Sequence, residues 1–263
     1  MRRRSTTTVA ALLVLVSLTA GAGEASAKRW MPKPTTAHWQ WQLQGKIDTS
    51  VKAPVYEVDS FDVPKSTIAE LHRKGRKVIC YLDIGAWESY RPDAGAYPEV
   101  VLGAEYFGYP EERWLDIRRL DILRPILNRR FDICARKGFD AVEPDNIAGW
   151  ENKTGFPLTR ADQLRFNRYV ARAVHKRGMS VALKNDGRQA RQLVGSYDFA
   201  VVEQCFQYNE CGQYSPFVEA GKAVFVAEYE TAPREFCGRA KALRFSAIGK
   251  GYDLFAKPWR PCS

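Results

Sequence analysis

Eight short runs rich in Val, Ile, Phe and Tyr succeed one another along the chain: HWQWQL (38–43), PVYEVD (54–59), KVICYLDI (77–84), DAVEPDN (140–146), SVALKND (180–186), FAVVEQC (199–205), AVFVAEY (223–229) and SAIGKGY (246–252). Near-continuous apolar character of this kind is what a strand buried on both faces requires. Amphipathic stretches of helical length lie between most of the runs. Four of these stretches end in glycine just before the next run, at Gly75, Gly138, Gly178 and Gly221. A glycine there predicts a helix C-cap in the left-handed conformation. Helix starts are also written in the chain: Thr159 with Asp162 makes a variant capping box, and Asp62 precedes VPKSTIAELHRKG with Pro64 in the first turn. Alternating strands and helices, eight strands in all, predict α/β architecture as a single (β/α)8 TIM barrel with long βα loops. A doubly wound open sheet is the rival fold; no Gly-rich phosphate loop follows any strand, which counts against its dinucleotide-binding form.

The connections are uneven. From Gly85 to Leu115 the chain runs GAWESYRPDAGAYPEVVLGAEYFGYPEERWL, far longer than an ordinary βα loop and rich in Tyr, Trp, Pro and Gly. A second long connection, residues 147–158, carries Trp150. Both follow strand C-termini, the face on which barrel enzymes build their sites, so the first is expected to fold over that face and bring Trp87 to the cleft.

The candidate chemistry sits at the same ends. In FDAVEPDN, residues two apart share a face, so Ala141, Glu143 and Asp145 point one way and Val142 and Pro144 the other. Pro144 cannot donate to a ladder, which places Asp145 and Asn146 at a strand end. Asp59, Asp83, Asp186, Glu203 and Glu228 also fall at or near strand C-termini, with Lys184, Asn185 and Tyr229 beside them. A ring of carboxylates at one barrel mouth suits paired work on a glycosidic bond or coordination of a hard cation. His38, His72 and His175 are the only histidines; one starts a strand at the wrong barrel face and two lie in basic helices, which argues against a histidine triad, a zinc hydrolase or histidine-dependent phosphodiester cleavage. Trp39, Trp41, Tyr56, Tyr81, Trp87, Trp150, Phe206, Tyr229 and Tyr252 lie near the same ends and suit stacking on sugar rings. Within strands such aromatics are more often barrel filling, whereas Trp87 and Trp150, in loops, are the better candidates for sugar contact.

Composition narrows the setting. Residues 1–27 read as a secretory signal peptide: three arginines, an apolar stretch from Val9 to Ala20, then Ala25-Ser26-Ala27. That apolar stretch is too short to span a bilayer. Cleavage leaves residues 28–263 as one domain and takes the formal charge from +10 to +8. Most Lys and Arg fall on helical stretches such as RRLDILRPILNRR, and no aromatic-interleaved basic patch appears, so nucleic acid is not an expected partner. A secreted monomer with no membrane attachment after cleavage is expected. All six cysteines remain, an even number in an exported chain. Cys205 and Cys211 lie close enough to close a small loop. Cys80 falls on the strand face opposite Ile79 and Tyr81, toward the helix layer where Cys134 sits, which leaves Cys237 with Cys262 to pin the tail. A zinc site is the alternative, but no cysteine pair has the two-residue spacing of a ribbon or finger.

The set WQWQL, YEVD, CYLDIGAWE, KGFDAVEPDN, LKND, EQC and AEY, in barrel order over nearly all of the mature chain, resembles the endo-α-1,4-polygalactosaminidase family of glycoside hydrolases, family 114. The resemblance implies endo-hydrolysis of an amino-sugar polysaccharide, α-1,4-linked galactosamine, with retention of configuration and with neither cofactor nor metal. It implies that Asp145 is the nucleophile and Glu203 the general acid/base. Asp59, Asp83, Lys184, Asn185 and Glu228 match positions expected to line the subsite of the sugar that is attacked, and Asn146, Trp87 and Tyr229 complete the expected binding set. A positively charged chain acting on a cationic polymer requires a locally acidic cleft. Two other readings stand beside this one: a carbohydrate-binding barrel without turnover, and a metal-dependent phosphodiesterase.

Overall fold

A computed structural model describes residues 29–262 apart from Thr36; the expected signal peptide, 1–27, lies outside the described residues. Eight parallel strands form the barrel: β1 Trp39–Gln42, β2 Val55–Asp59, β3 Lys77–Asp83, β4 Ala141–Asp145, β5 Ser180–Lys184, β6 Phe199–Glu203, β7 Val224–Glu228 and β8 Ser246–Gly249. Each pairs with its sequence neighbour from β1 through β8. The eight apolar runs of the sequence are these eight strands, and the architecture is the (β/α)8 barrel.

Six α-helices accompany them among the described residues: α1 Lys65–Arg73, α2 Leu120–Lys137, α3 Arg160–His175, α4 Ala190–Leu193, α5 Ser215–Glu219 and α6 Pro233–Leu243. The connection from β1 to β2 has none, and neither does the tail after β8. Instead the tail bridges the seam between β8 and β1. Residues Arg260–Pro261 pair antiparallel with β8, Trp259 Nε1 donates to Trp39 O at 2.8 Å, and Gln40 Nε2 donates to Ala256 O. The Cys237–Cys262 disulfide holds this tail to α6, as the cysteine argument required; Cys80–Cys134 and Cys205–Cys211 are the other two bridges.

Helix ends follow the sequence signals with one exception. Gly75, Gly138, Gly178 and Gly221 all take positive φ, between 72° and 89°. Thr159 and Asp162 exchange both bonds of the capping box. At α1 the cap is Pro64 itself, with no side-chain bond, and Asp62 does not cap. The Asp62 side chain stands 77% exposed at the cleft rim, where Arg91 lies 3.9 Å away.

Strand alternation divides the core in two. Val55, Ile79, Ala141, Ala182, Phe199, Val201, Phe225, Ala227 and Ile248 fill the barrel interior together with Trp39 and Trp41. The alternate positions, including Tyr56, Cys80, Val142, Leu183, Val202 and Val226, pack outward against the helices. This parity decides which residues at the strand ends can reach the mouth.

The long connection after β3 is a small antiparallel sheet. Strands Ala86–Glu88, Leu102–Tyr106 and Tyr109–Leu115 pair in the order first, third, second. It is bolted to the barrel by Arg130 of α2, a fully buried guanidinium that grips both Asp93 oxygens at 2.8 Å and donates to Asp83 O.

Candidate active site

The C-terminal ends of β4, β5 and β6 converge on one ammonium group. Lys184 Nζ lies 2.8 Å from Asp145 Oδ1, 3.1 Å from Glu203 Oε2 and 3.0 Å from Glu143 Oε1. The Asp145 and Glu203 oxygens can therefore be no farther apart than those two contacts laid end to end, about 5.9 Å. Burial works against the charge on Lys184, but the surrounding carboxylates, Asp145 foremost, hold its pKa well above the usual value. It also sits 4.9 Å from the centroid of the Trp41 ring, in cation–π range. The ammonium stands between the carboxylates, where a metal-dependent reading would place its cation.

Each carboxylate has further donors. Asp145 accepts from Tyr81 Oη at 3.0 Å and from the Asn146 backbone N–H at 2.8 Å. Glu203 accepts from Tyr229 Oη and, at 3.2 Å, from Asn185 Nδ2, while its own N–H donates to Asn185 Oδ1 at 3.0 Å. Burial pushes the Tyr81 and Tyr229 phenols well above their usual pKa, so both remain O–H donors to a carboxylate. After each of β4, β5 and β6 the chain turns through left-handed residues: Asn146 at φ 58°, Asn185 at 48° with Asp186 at 52°, and Gln204 at 55°. Asn and Asp tolerate this region better than most side chains, which explains the EPDN and KND endings physically. The turn aims the Asn146 and Asn185 side chains back at the site.

Asp83 lies behind the mouth. Its carboxylate accepts from the Gly85 and Ala86 N–H groups and from Asn146 Nδ2 at 2.7 Å, and burial followed by the charges of Glu88 and Asp145 pushes its pKa well up. Gly85 allows this approach: a Cβ there would lie 1.8 Å from Asn146 O. Asp83 thus orients Asn146 and is not among the residues lining the cleft. Asp59 does line it, paired at 2.7 Å with Arg91 of the excursion and capping the Phe61 and Asp62 N–H groups.

Contrary to expectation, Asp83 does not line the subsite, and three further expectations need correction. Glu228 does not reach the mouth: alternation on β7 turns Ala227 and Tyr229 inward and Glu228 outward, where it accepts from the Phe206 N–H at 2.8 Å and braces the turn after β6. The pattern AEY carried that parity, so Tyr229 and not Glu228 was the cleft residue. Trp87 does not line the cleft either; its indole N–H bonds Ala94 O and its ring packs on the apolar core. Trp150 donates instead to Asp186 and lies under Arg160. Loop tryptophans here hold the loops together, because an indole half-buried among apolar neighbours gains more than one left in water.

The excursion does reach the mouth, through other residues. Tyr90, Arg91, Tyr106, Tyr109 and Glu112 line a cleft of about 590 Å³ together with Trp41, Tyr81, Asp145, Asn146, Lys184, Asn185, Glu203, Tyr229 and Tyr252. Tyr106 and Tyr109 face each other across the two-residue turn Phe107-Gly108, with Gly108 at φ 88°. The sequence YFGY carried that hairpin signal, with a glycine in the turn. Seven acidic residues line the cleft against two basic ones, Arg91 and Lys184, so the mouth is acidic on a chain whose formal charge is +10.

Comparison with known proteins agrees with this geometry. The chain is similar to the crystal structure of Aspergillus fumigatus Ega3 in complex with galactosamine, at 38% identity over 89% of this chain and 98% of that one, with a TM-score of 0.82. It shares its fold with the glycoside hydrolase domain of PelA from Pseudomonas aeruginosa, at 12% identity over 84% of this chain and 96% of that one, with a TM-score of 0.68. No curated protein matches at the level of sequence. The model of glycoside-hydrolase family GH114 matches residues 19–262, so the chain belongs to that family and is a glycoside hydrolase.

Proposed function

We propose that this glycoside hydrolase is exported through residues 1–27 and cleaves α-1,4-linked galactosamine polymers internally, with retention of configuration. The observation that carries the reading is the spacing of Asp145 and Glu203. Both touch one ammonium, so their nearest oxygens are within about 5.9 Å, short of the roughly 6.5–9.5 Å that an inverting pair leaves for water. The acidic lining suits a polymer of protonated amino sugars, and the galactosamine bound to Ega3 supports the same substrate. The cleft lining runs beyond the pair to Tyr90 and Glu112 of the excursion and to Tyr252 and Phe255 after β8, which suits a chain longer than one sugar.

Asp145 is the nucleophile in this reading. Lys184, Tyr81 and the Asn146 N–H hold its carboxylate in one orientation for attack on the anomeric carbon. Glu203 delivers a proton to the departing sugar oxygen and then takes one from the water that releases the covalent intermediate. Tyr229 and Asn185 fix its direction. Three disulfides, and no helix among the described residues long and apolar enough to cross a membrane, are consistent with export.

The test pairs two variants with two substrates. Asp145→Asn is expected to abolish turnover of both galactosamine polymer and an aryl galactosaminide. Glu203→Gln is expected to cripple polymer cleavage far more than that of the aryl glycoside, whose good leaving group needs no proton. Product anomers are followed by NMR. Inverted product, or near-normal polymer cleavage by either variant, refutes the assignment.

A further inference from the structure

One layer beneath the two carboxylates, inside the barrel, Glu57 of β2 and Glu143 of β4 are both fully buried. Strand β3 runs between them, with Ile79 level with Glu57 and Tyr81 level with Glu143. Both side chains point into the barrel, on the inward strand faces that also carry Val55 and Ala141. None of their four oxygens accepts a hydrogen bond from an N–H or O–H of the described residues. Lys184 Nζ does come within 3.0 Å of Glu143 Oε1, as an ion-pair contact too poorly aligned to count as a hydrogen bond. Neither residue lines the cleft.

The other charged or titratable groups facing this layer are already engaged. Lys184 serves Asp145 and Glu203 from β5; Tyr81 and Tyr229 donate to those same carboxylates; Asp59 is tied to Arg91. On β1, Trp41 is level with Glu57, and Ile248 of β8 points into the same interior. Four carboxyls therefore gather around one ammonium. Ionised together, the buried pair would repel each other with no water to solvate them. A carboxylate only accepts, so a hydrogen bond between two carboxyls requires that one carry a proton.

We propose that Glu57 and Glu143 hold one proton between them and act as a positioning pair for Lys184. Glu57 donates to Glu143. Glu143, fixed in this way, sets the height from which the Lys184 ammonium reaches both Asp145 and Glu203. The inference rests on the reading of those two residues as the catalytic pair. Burial raises both carboxyls, and the Lys184 ammonium in contact with Glu143 opposes the rise there, so the proton the pair keeps longest is that of Glu57.

The test uses Glu57→Gln, Glu57→Leu and Glu143→Gln in the full chain. One arm measures urea unfolding between about pH 5 and 9 and needs no substrate. A carboxyl raised in the folded state, as Glu57 is, contributes stability that is complete below its unfolded value, 4.5, and is lost as pH climbs from there toward its folded value. Each such proton makes the folding constant fall by about tenfold per pH unit in that window. Glu57→Gln, which removes the carrier of the proton, is expected to remove about one proton's worth of that decline, and Glu143→Gln, which leaves Glu57 its proton, to remove less. A slope equal to wild type overturns the shared proton.

The second arm measures kcat and KM on a galactosamine oligomer. Glu57→Gln still offers an N–H to Glu143 and is expected to keep kcat within about threefold of wild type. Glu57→Leu has similar volume and no donor, and is expected to lose about tenfold or more in kcat with KM moved less than about twofold, the pattern of an interaction felt in the transition state. Equal kcat for the two Glu57 variants overturns the positioning role. If wild type does not cleave the oligomer at all, the substrate reading falls, and the unfolding arm still decides the proton.

Discussion

Replacing Lys184 by Met tests the site where structure and charge are most tightly linked. The side chain is 2% exposed, and its ammonium is the only cation within salt-bridge distance of Glu143, Asp145 and Glu203 among the described residues. Methionine keeps most of the volume and removes the charge. The carboxyls left behind can relieve their repulsion by taking up a proton, which sets a ceiling on the damage. Protonating one carboxyl of ordinary pKa near 4.3 costs about 1.4 kcal/mol per pH unit, so about 4 kcal/mol at pH 7 and about 1 kcal/mol at pH 5. The variant is therefore expected to be destabilised by about 4 kcal/mol at pH 7, in the range seen on breaking a buried pair, and by much less at pH 5. Urea unfolding at the two pH values reads this directly. Loss of one preorganised charged donor typically costs about 10²–10³ in kcat, and that is the fall expected on polymer. Equal destabilisation at both pH values, or a kcat within about tenfold of wild type, would refute the role given to Lys184.

Three further outcomes are expected. Removing the Cys80–Cys134 bridge by a double substitution to Ala frees a loop of sequence separation 54, for which chain entropy predicts a loss of about 4 kcal/mol in chemical unfolding; a loss under about 1 kcal/mol would contradict it. Burial raises Asp186 to about 8 while it holds Trp150 and Asn167, so it contributes stability that is lost as pH rises from its unfolded value of 3.8 to about 8. Asp186→Asn should lack that share, about 1.4 kcal/mol per pH unit at most, and an unaltered stability profile would exclude it. An acidic cleft binding a polycation should show KM for deacetylated oligomer rising with salt between about 0.05 and 0.5 M while kcat changes little, because ions screen exposed charges; a KM indifferent to salt would remove electrostatics from substrate capture.

The strands, the barrel, the glycine caps and all three disulfides were legible in the chain itself, because each follows from rules spanning a few residues. Strand alternation sent Cys80 outward to Cys134 and placed Glu143 and Asp145 on one inner face. The same rule, applied to AVFVAEY, separates inward Tyr229 from outward Glu228. What the sequence could not determine is how groups far apart in the chain share one ion. Lys184 meets carboxylates from two other strands, and Asp59 meets Arg91 of the excursion, only because parallel pairing of neighbouring strands brings those ends within 3.1 Å. Nor could a stretch rich in Tyr and Trp say which rings face the cleft. That depends on the hairpin register, which put Tyr106 and Tyr109 at the mouth and turned Trp87 into the core. Local patterns fix the elements and their faces, since covalent geometry alone sets the two-residue period. The charge state and aim of the site are set by distances between strand ends, and those exist only once the strands have paired.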